Sequence, residues 1–407
     1  MKKRLAIITS GFLPVPASKG GAVENLIDII IGKNEKHNEF TPVVFSIYDE
    51  EAISMSKKYK NSKFIFIKTR TIVKLMDKIM FFIADKILHK TNSRSYRYIF
   101  QRLSYFRKCS TYLKKNDYDK VLLENHPSMY YTLKWKNNYK KYEGRYYYHC
   151  HNEFPSCYGM KDIMEKTKKF ISVSKFRNNN IKEYLKFDDK KFEVLYNCCS
   201  DDILQKASKE DIKNIKNKYR IQDDEHVIMF IGRVVNDKGI LELIKACKLI
   251  KDIKYKLIIV GSALNANNVL TEYETKVKKE IDESNRNILM TSFVNHSDLY
   301  KYYAVADVIA IPSLIDDSAP LSLIEAMATE KAIVATNCGG IPEYADNGCA
   351  MCIDLEKNFV ENLSTSLSNI LKDKEQKKRM ERKSKEKSKQ YSEEKYYQDF
   401  CKLIIQD

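Results

Sequence analysis

Short apolar runs alternate with amphipathic stretches along most of this chain. Strand-like runs occupy Leu5–Thr9, Pro42–Ile47, Lys63–Ile67, Lys120–Leu123, Tyr146–His149, Phe170–Val173 and Phe192–Tyr196. Between them lie segments with helical spacing, such as Ala22–Lys36. Continuous apolar strands separated by helices predict parallel sheets with helices on both faces, because a strand buried on two sides has no polar face to show. The pattern breaks at Asn197–Glu210, which is polar and without period, and then restarts. A helical segment runs to Tyr219. Strands follow at His226–Ile231, Lys256–Gly261, Asn287–Thr291, Val308–Ile311, Ala332–Ala335 and Met351–Ile353, with helices at Gly239–Leu249, Asn268–Glu283, Ser297–Ala304 and Leu321–Thr329. After Asn358 the chain reads as helix to its end, interrupted near Gln390–Ser392. In the last stretch Tyr396, Tyr397, Phe400, Leu403 and Ile404 make one apolar face that must bury against something.

The expected fold class is therefore α/β with two Rossmann-like domains. The first spans residues 1–200 and the second residues 201–388, with a C-terminal helix over 389–407 packing back on the first. Ligands of such sheets bind at the carboxyl ends of the strands. A length of 407 residues suits two domains, and a hydrophobic fraction of 43% excludes wholesale disorder. No apolar run reaches the eighteen residues of a membrane span. The start, MKKRLAIITSGF, reads as a first strand rather than a signal peptide. Ten cysteines without a repeating frame read as reduced thiols of a cytoplasmic protein.

Charge sharpens the picture in two places. The formal net charge is +17, and Lys68–Lys115 carries 13 basic and 2 acidic residues, while Lys372–Lys389 carries 10 and 4. The rest is close to neutral, so electrostatic arguments concern two segments. The first mixes its cations with Leu75, Met76, Ile79, Met80, Phe81, Phe82, Ile83, Ile87 and Leu88, the make-up of a helix that lies on anionic lipid. An ordinary helix pair with a solvated basic face is the alternative. Arg94, Tyr96, Arg97, Tyr98, Arg102, Tyr105 and Arg107 interleave cations with aromatics. No nucleic-acid module accompanies them, and no nucleic-acid partner is expected. The second segment pairs opposite charges at i,i+4 spacing and reads as a solvated helix.

Candidate chemistry clusters at strand ends. Gly20 and Gly21 stand in a loop between the first strand and its helix, where glycine lets the backbone approach a ligand and the helix start offers free N–H groups. Arg233 and Lys238 flank the loop after the strand His226–Ile231, as a planar fork and a point charge able to clamp a diphosphate. Asp317 precedes a helix that opens at Pro320-Leu321-Ser322, and Glu325 lies about one turn inside it. Carboxylates and N–H groups there suit sugar or ribose hydroxyls. His126 follows one strand, and His149 and His151 close another. A metal site from His149, His151 and Glu153 would lack a fourth ligand.

Gly232-Arg233 with Lys238-Gly239, Asp317-x7-Glu325 ending in Glu325-Ala326-Met327-Ala328, and Gly339-Gly340-Ile341-Pro342-Glu343, in that order, resemble family 4 of the retaining glycosyltransferases. The resemblance implies the GT-B fold, two Rossmann-like domains whose parallel sheets face each other across a cleft. It implies a nucleotide-diphosphate sugar as donor, UDP- or GDP-linked, with no metal and no further cofactor. Arg233 and Lys238 would bind the diphosphate, Glu325 the ribose, and Asp317 the transferred sugar, with backbone N–H groups around Pro320, Leu321 and Ser322 assisting. Gly20 and Gly21 would approach the donor, Phe293 and Val294 would line the nucleobase pocket, and His126 would hydrogen-bond sugar or phosphate. His149 or His151 would face the acceptor. The family usually has Glu where this chain has Asp317, and Phe-Gly where it has Ala319-Pro320, which leaves the donor sugar open. A front-face displacement with retention is implied, the leaving diphosphate helping to deprotonate the acceptor. Lipid-linked or saccharide acceptors and surface polysaccharide as product follow from the same resemblance, and with the basic, apolar make-up of residues 68–115 they suggest a peripheral place on the inner membrane face. An epimerase or phosphorylase of the same fold, and a non-catalytic nucleotide-sugar-binding protein, are the alternatives.

Overall fold

In a computed structural model the described residues are 2–87, 97–262, 271–284, 287–345 and 348–407. They divide into two compact units. The first holds the chain up to Val173, Arg177–Leu195 and Tyr397–Asp407. The second holds Ser174–Phe176 and Tyr196–Tyr396.

The first unit contains a parallel sheet of β1 (Arg4–Ile8), β2 (Thr41–Ile47), β3 (Lys63–Ile67), β4 (Lys120–Glu124), β5 (Tyr146–Cys150), β6 (Lys169–Ser172) and β7 (Phe192–Val194), in the order β3-β2-β1-β4-β5-β6-β7. The winding direction reverses between β1 and β4, where Ile8 pairs with Leu123. A doubly wound sheet opens a crevice at such a reversal, because the loops after the two strands leave toward opposite faces. The second unit contains β8 (His226–Ile231), β9 (Tyr255–Val260), β10 (Ile288–Met290), β11 (Val308–Ile311), β12 (Ala332–Thr336) and β13 (Ala350–Ile353), ordered β10-β9-β8-β11-β12-β13, again parallel throughout. Its reversal falls between β8 and β11.

Alternate residues of one strand feed opposite cores. Val227, Met229 and Ile231 of β8 pack with the helix Leu321–Ala328 on one face, and Ile228 and Phe230 with the helix Ile240–Leu249 on the other. That two-sided burial is why the strands read as unbroken apolar runs. The helix Glu272–Asp282 begins at a capping box of Thr271 and Glu274, and positions 268–270 of the expected helix lie outside the described residues.

The chain's end belongs to the first unit. Tyr397 donates to Asn34 Oδ1 at 2.9 Å and stacks on His37. Tyr147 donates to the Asp407 carboxylate at 2.9 Å, and Lys3 to the Ile405 carbonyl at 2.6 Å. Phe400 and Ile404 of the expected apolar face are buried there, while Leu403 is half-exposed.

The basic stretch forms a helix, Thr71–Phe82, with an inverted pattern. Ile72, Leu75, Met76, Ile79 and Phe82 are exposed, at the spacing of one helical face. The helix's buried residue is Asp77, whose two oxygens accept from the backbone N–H groups of Phe100 and Gln101 at 2.8 and 2.9 Å and so cap the start of the helix Ile99–Lys115. Leu88, Arg94 and Tyr96 lie outside the described residues, as does the side chain of Ile87. Lys374–Ser388 is a mostly exposed helix. No helix among the described residues is long and apolar enough to cross a membrane.

Candidate functional site

In the second unit the predicted residues converge on the β8/β11 reversal. The loop after β8 turns at Gly239, whose φ of 65° favours glycine and where a Cβ would sit 1.9 Å from the Pro312 carbonyl oxygen. That close approach lays Lys238 against the loop after β11, and its ammonium forms an ion pair with Asp317. Ser313 Oγ lies 3.5 Å from the same carboxylate oxygen. The loop after β12 presses in as well. Gly340 donates its N–H to the Asp317 carbonyl at 2.8 Å, and a Cβ on Gly339 would stand 2.3 Å from that carbonyl oxygen. Lys238 and Asp317, assigned separately to diphosphate and sugar, thus occupy each other, while Arg233 is exposed in the loop after β8.

Glu325 lies in the helix Leu321–Ala328, whose N-cap is Pro320, so the first-turn N–H groups at Leu321 and Ser322 have no side-chain cap. Glu325 is 4% exposed, and its carboxylate holds two partners that the sequence did not disclose. Tyr303 donates to Oε2 at 2.8 Å, and His296 Nε2 lies 2.8 Å from Oε1. Burial alone would lower the His296 pKa, but the hydrogen bond and charge of Glu325 raise it above the ordinary imidazole value. His296 stands two residues after Val294. That spacing, a histidine closing the apolar loop Phe293–Val294, was the available signal. Phe293 and Val294, with Thr291, Asn295, Asp211 and Tyr302, line an open hollow of about 390 Å³.

In the first unit the residues gather at the β1/β4 reversal. Gly21 has φ 111°, and a Cβ there would lie 2.2 Å from Glu24 Oε2, so the loop closes over a buried carboxyl. Burial pushes Glu24 up to about 7, with Glu124 and Asp28 adding to the effect. His126, just after β4, has Nδ1 within 2.8 Å of Ser128 Oγ and accepts the Ser128 backbone N–H at 3.2 Å. Arg102 donates to Ser128 Oγ at 2.9 Å and lies over the Phe12 ring, 4.1 Å from its centre. Burial first, and the Arg102 charge second, push His126 down to about 4. The ring is neutral at physiological pH, with Nδ1 accepting and Nε2 carrying the proton. Arg102, read above only as part of a cationic stretch, fixes that tautomer through Ser128.

At the end of β5, His149 and His151 share one carboxylate. Glu124, the last residue of β4, pairs in register with His149. Its Oε2 lies 3.1 Å from His149 Nδ1 and 3.1 Å from His151 Nε2. Burial would raise the Glu124 pKa, but the two histidines hold it down to about 2. Burial, then His149, outweigh Glu124 and hold His151 down to about 4. Glu153, named with these histidines as a possible metal ligand, is exposed, and Glu124 stands in its place. Donor atoms of Glu124, His149 and His151 lie within 4.8 Å of one another, the one such group among the described residues. The carboxylate is satisfied by two ring N–H groups, so the trio closes as a hydrogen-bonded set.

Comparison with known proteins places this geometry. Residues 211–387 match the family model of glycosyl transferases group 1. The chain is 27% identical over 190 residues to the lipopolysaccharide 1,2-N-acetylglucosaminetransferase of Salmonella typhimurium, covering 46% of this chain and 50% of that one. It is 29% identical over 167 residues to the capsular polysaccharide biosynthesis glycosyltransferase CapM of Staphylococcus aureus, 40% and 42% of the two chains. These matches span about half the length of the curated relatives. A glycosyltransferase from Rickettsia africae shares the fold over 100% of this chain and 99% of its own, with a TM-score of 0.75 at 18% identity. Anabaena Alr3699/HepE, solved with UDP-glucose, shares it over the whole of both chains, at 0.73 and 14%. The two parallel doubly wound sheets are thus the GT-B fold of those structures, and residues 211–387 are similar to the glycosyl transferases group 1 family.

Proposed function

We propose that this protein is a retaining glycosyltransferase that moves a sugar from a nucleotide-diphosphate donor to a saccharide or lipid-linked acceptor in the building of a surface polysaccharide or glycoconjugate. The observation that carries this reading is the convergence of Arg233, Lys238, Asp317 and Glu325 on the β8/β11 reversal, inside the region that matches the family. UDP is the favoured nucleotide, since a protein of the same fold was solved with UDP-glucose. In this reading the donor diphosphate takes the Lys238 ammonium away from Asp317. Arg233 closes on it as a fork, and the freed Asp317 carboxylate accepts from hydroxyls of the sugar. The N–H groups at Leu321 and Ser322 add donors, and Glu325, held by Tyr303 and His296, accepts from the ribose. Phe293 and Val294 provide the apolar wall for the base.

Arg233 and Lys238 neutralise the charge that grows on the leaving diphosphate, so the chemistry needs no metal ion. The acceptor oxygen attacks the anomeric carbon on the face the diphosphate leaves, and a diphosphate oxygen takes its proton. His126 Nε2–H, Gly20 and Gly21 are the first unit's contacts to substrate.

The test is a thermal-shift and turnover screen over nucleotide sugars. A true donor at a hundredfold excess over its Kd adds about 2.7 kcal/mol of stability, and sugar transfer continues in excess chelator. Folded protein that no nucleotide diphosphate stabilises would sink the donor site.

The exposed apolar face of Thr71–Phe82, beside Lys74, Lys78 and Lys86, supports docking on an anionic membrane. Each lysine near such a surface contributes about 1 kcal/mol. Reversing all three to glutamate lowers partitioning onto phosphatidylglycerol vesicles by at least a hundredfold. Partitioning that is unchanged by the reversal and by salt would assign the face elsewhere.

A further inference from the structure

The first unit presents two histidines at one strand end, and the sequence does not say which one meets substrate. The hydrogen bonds separate them. Glu124 is 1% exposed, and an ionised carboxylate only accepts, so both ring nitrogens that face it carry protons. For His149 that nitrogen is Nδ1, which leaves Nε2 as its free position. His149 Nε2 is sealed from solvent and has no hydrogen-bond partner. For His151 the bonded nitrogen is Nε2, which leaves Nδ1. His151 keeps 8% of its surface, and its Nδ1 is not among the sealed, unpartnered atoms. The two rings lie 4.0 Å apart between centres, so neither turns without moving the other.

We propose that Glu124 is a positioning residue, which fixes His151 with Nε2–H turned to the carboxylate and Nδ1 offered as a hydrogen-bond acceptor to a hydroxyl of the substrate. His149 is the inner brace. It takes the second share of the same carboxylate and closes off the side of His151 away from the substrate. The burial of Glu124 matters, since a hydrated carboxylate would let both rings flip. Register explains how the trio forms. Glu124 and His149 are paired neighbours on β4 and β5, and His151 follows two residues on, on the same face of the chain. Neither end of the chain alone specifies the set. The inference rests on the glycosyltransferase reading for the nature of the substrate, a polyhydroxyl compound, but the tautomers do not depend on it.

The experiment combines nitrogen NMR of histidine-labelled protein with kinetics of Glu124→Gln. Seven histidines make the spectrum assignable with His149→Gln and His151→Gln. In the intact protein His151 is expected as the Nε2–H tautomer and His149 with a protonated Nδ1. A glutamine keeps the shape of Glu124 but removes its charge, so the hold on both ring N–H groups weakens. Sugar transfer should fall on the order of ten- to a hundredfold, in kcat more than in KM, as for other groups that orient a reacting one. Stabilisation by the nucleotide sugar should be unchanged. An Nδ1–H tautomer for His151 in the intact protein overturns the proposal, whether or not any donor binds. So does full activity in folded Glu124→Gln, or a stoichiometric metal ion whose removal alters the two rings. Failure of every nucleotide sugar to bind would instead remove the glycosyltransferase reading and leave the tautomer result standing.

Discussion

Each unit holds a glutamate bound by histidine, Glu124 at the end of β4 and Glu325 in the helix Leu321–Ala328, yet the two clusters are in different electrostatic states. Glu124 faces two imidazoles, and everything in that trio is buried. Glu325 faces one imidazole, on a side chain about a third exposed, and one buried phenol. One carboxylate cannot charge two buried, mutually repelling rings, so His151 is driven down to about 4. A single partly hydrated ring beside Glu325 is driven up instead. The residue types are nearly the same, and it is the count of rings and their access to water that set the direction. The first cluster is suited to holding a neutral imidazole, the second to fixing the Glu325 carboxylate between two side chains.

The sharpest way to break this comparison is to remove each acid. Glu124→Ala strands two buried ring N–H groups and should cost about 2–6 kcal/mol in urea unfolding, at about 1–3 kcal/mol for each donor left without a partner. Glu325→Ala leaves one buried hydroxyl and a histidine that water can reach, and should cost about 1–3 kcal/mol. Equal losses would mean that burial does not distinguish the two clusters.

The glycines extend the comparison. Both Gly21 and Gly339 have left-handed φ, which costs another residue about 1–3 kcal/mol. At Gly339 an added Cβ meets the backbone carbonyl of Asp317, which cannot yield without moving the loop. At Gly21 it meets the far end of the Glu24 side chain, which can swing away. Gly339→Ala is therefore expected to lower Tm more than Gly21→Ala, and the reverse order would place the tighter turn in the first unit.

The last effect is in pH. His151 is lowered from 6.5 to about 4, so its share of stability is full above about 6.5 and is lost as the pH falls toward 4. Glu124, lowered from 4.5 to about 2, loses its share at still lower pH. His296 is raised, so its share is present below 6.5 and disappears as the pH rises through its folded value. The Tm gap between the intact protein and His296→Gln should shrink with rising pH, and the gap to His151→Gln should grow from acid toward neutrality. Parallel slopes would erase the difference in charge state.

Legibility followed the same division. In the second unit Arg233, Lys238, Asp317 and Glu325 stand in local motifs, where one strand, one loop and one helix start supply both the chemistry and its placement. The GT-B fold was legible for the same reason, since two-sided burial writes each strand as an apolar run. His296 and Tyr303 were not legible as partners of Glu325, because a hydrogen bond across 22 or 29 positions leaves no local pattern. Arg102 was misplaced for the converse reason. It sits in a run of cations, and only its approach to Ser128 and Phe12 separates it from its neighbours.

Two parallel α/β sheets, the glycine loops and the residues gathered after β8 and β11 can be read from the chain, because burial and backbone freedom are properties of short segments. Which charges meet depends on the folded chain, and folding did three things here. It closed Lys238 on Asp317, turned the apolar face of Thr71–Phe82 outward by burying Asp77, and set Glu124 between two histidines 25 and 27 residues away. Proton positions depend on what lies within a few ångströms in space, and strand order, not chain order, fixes that.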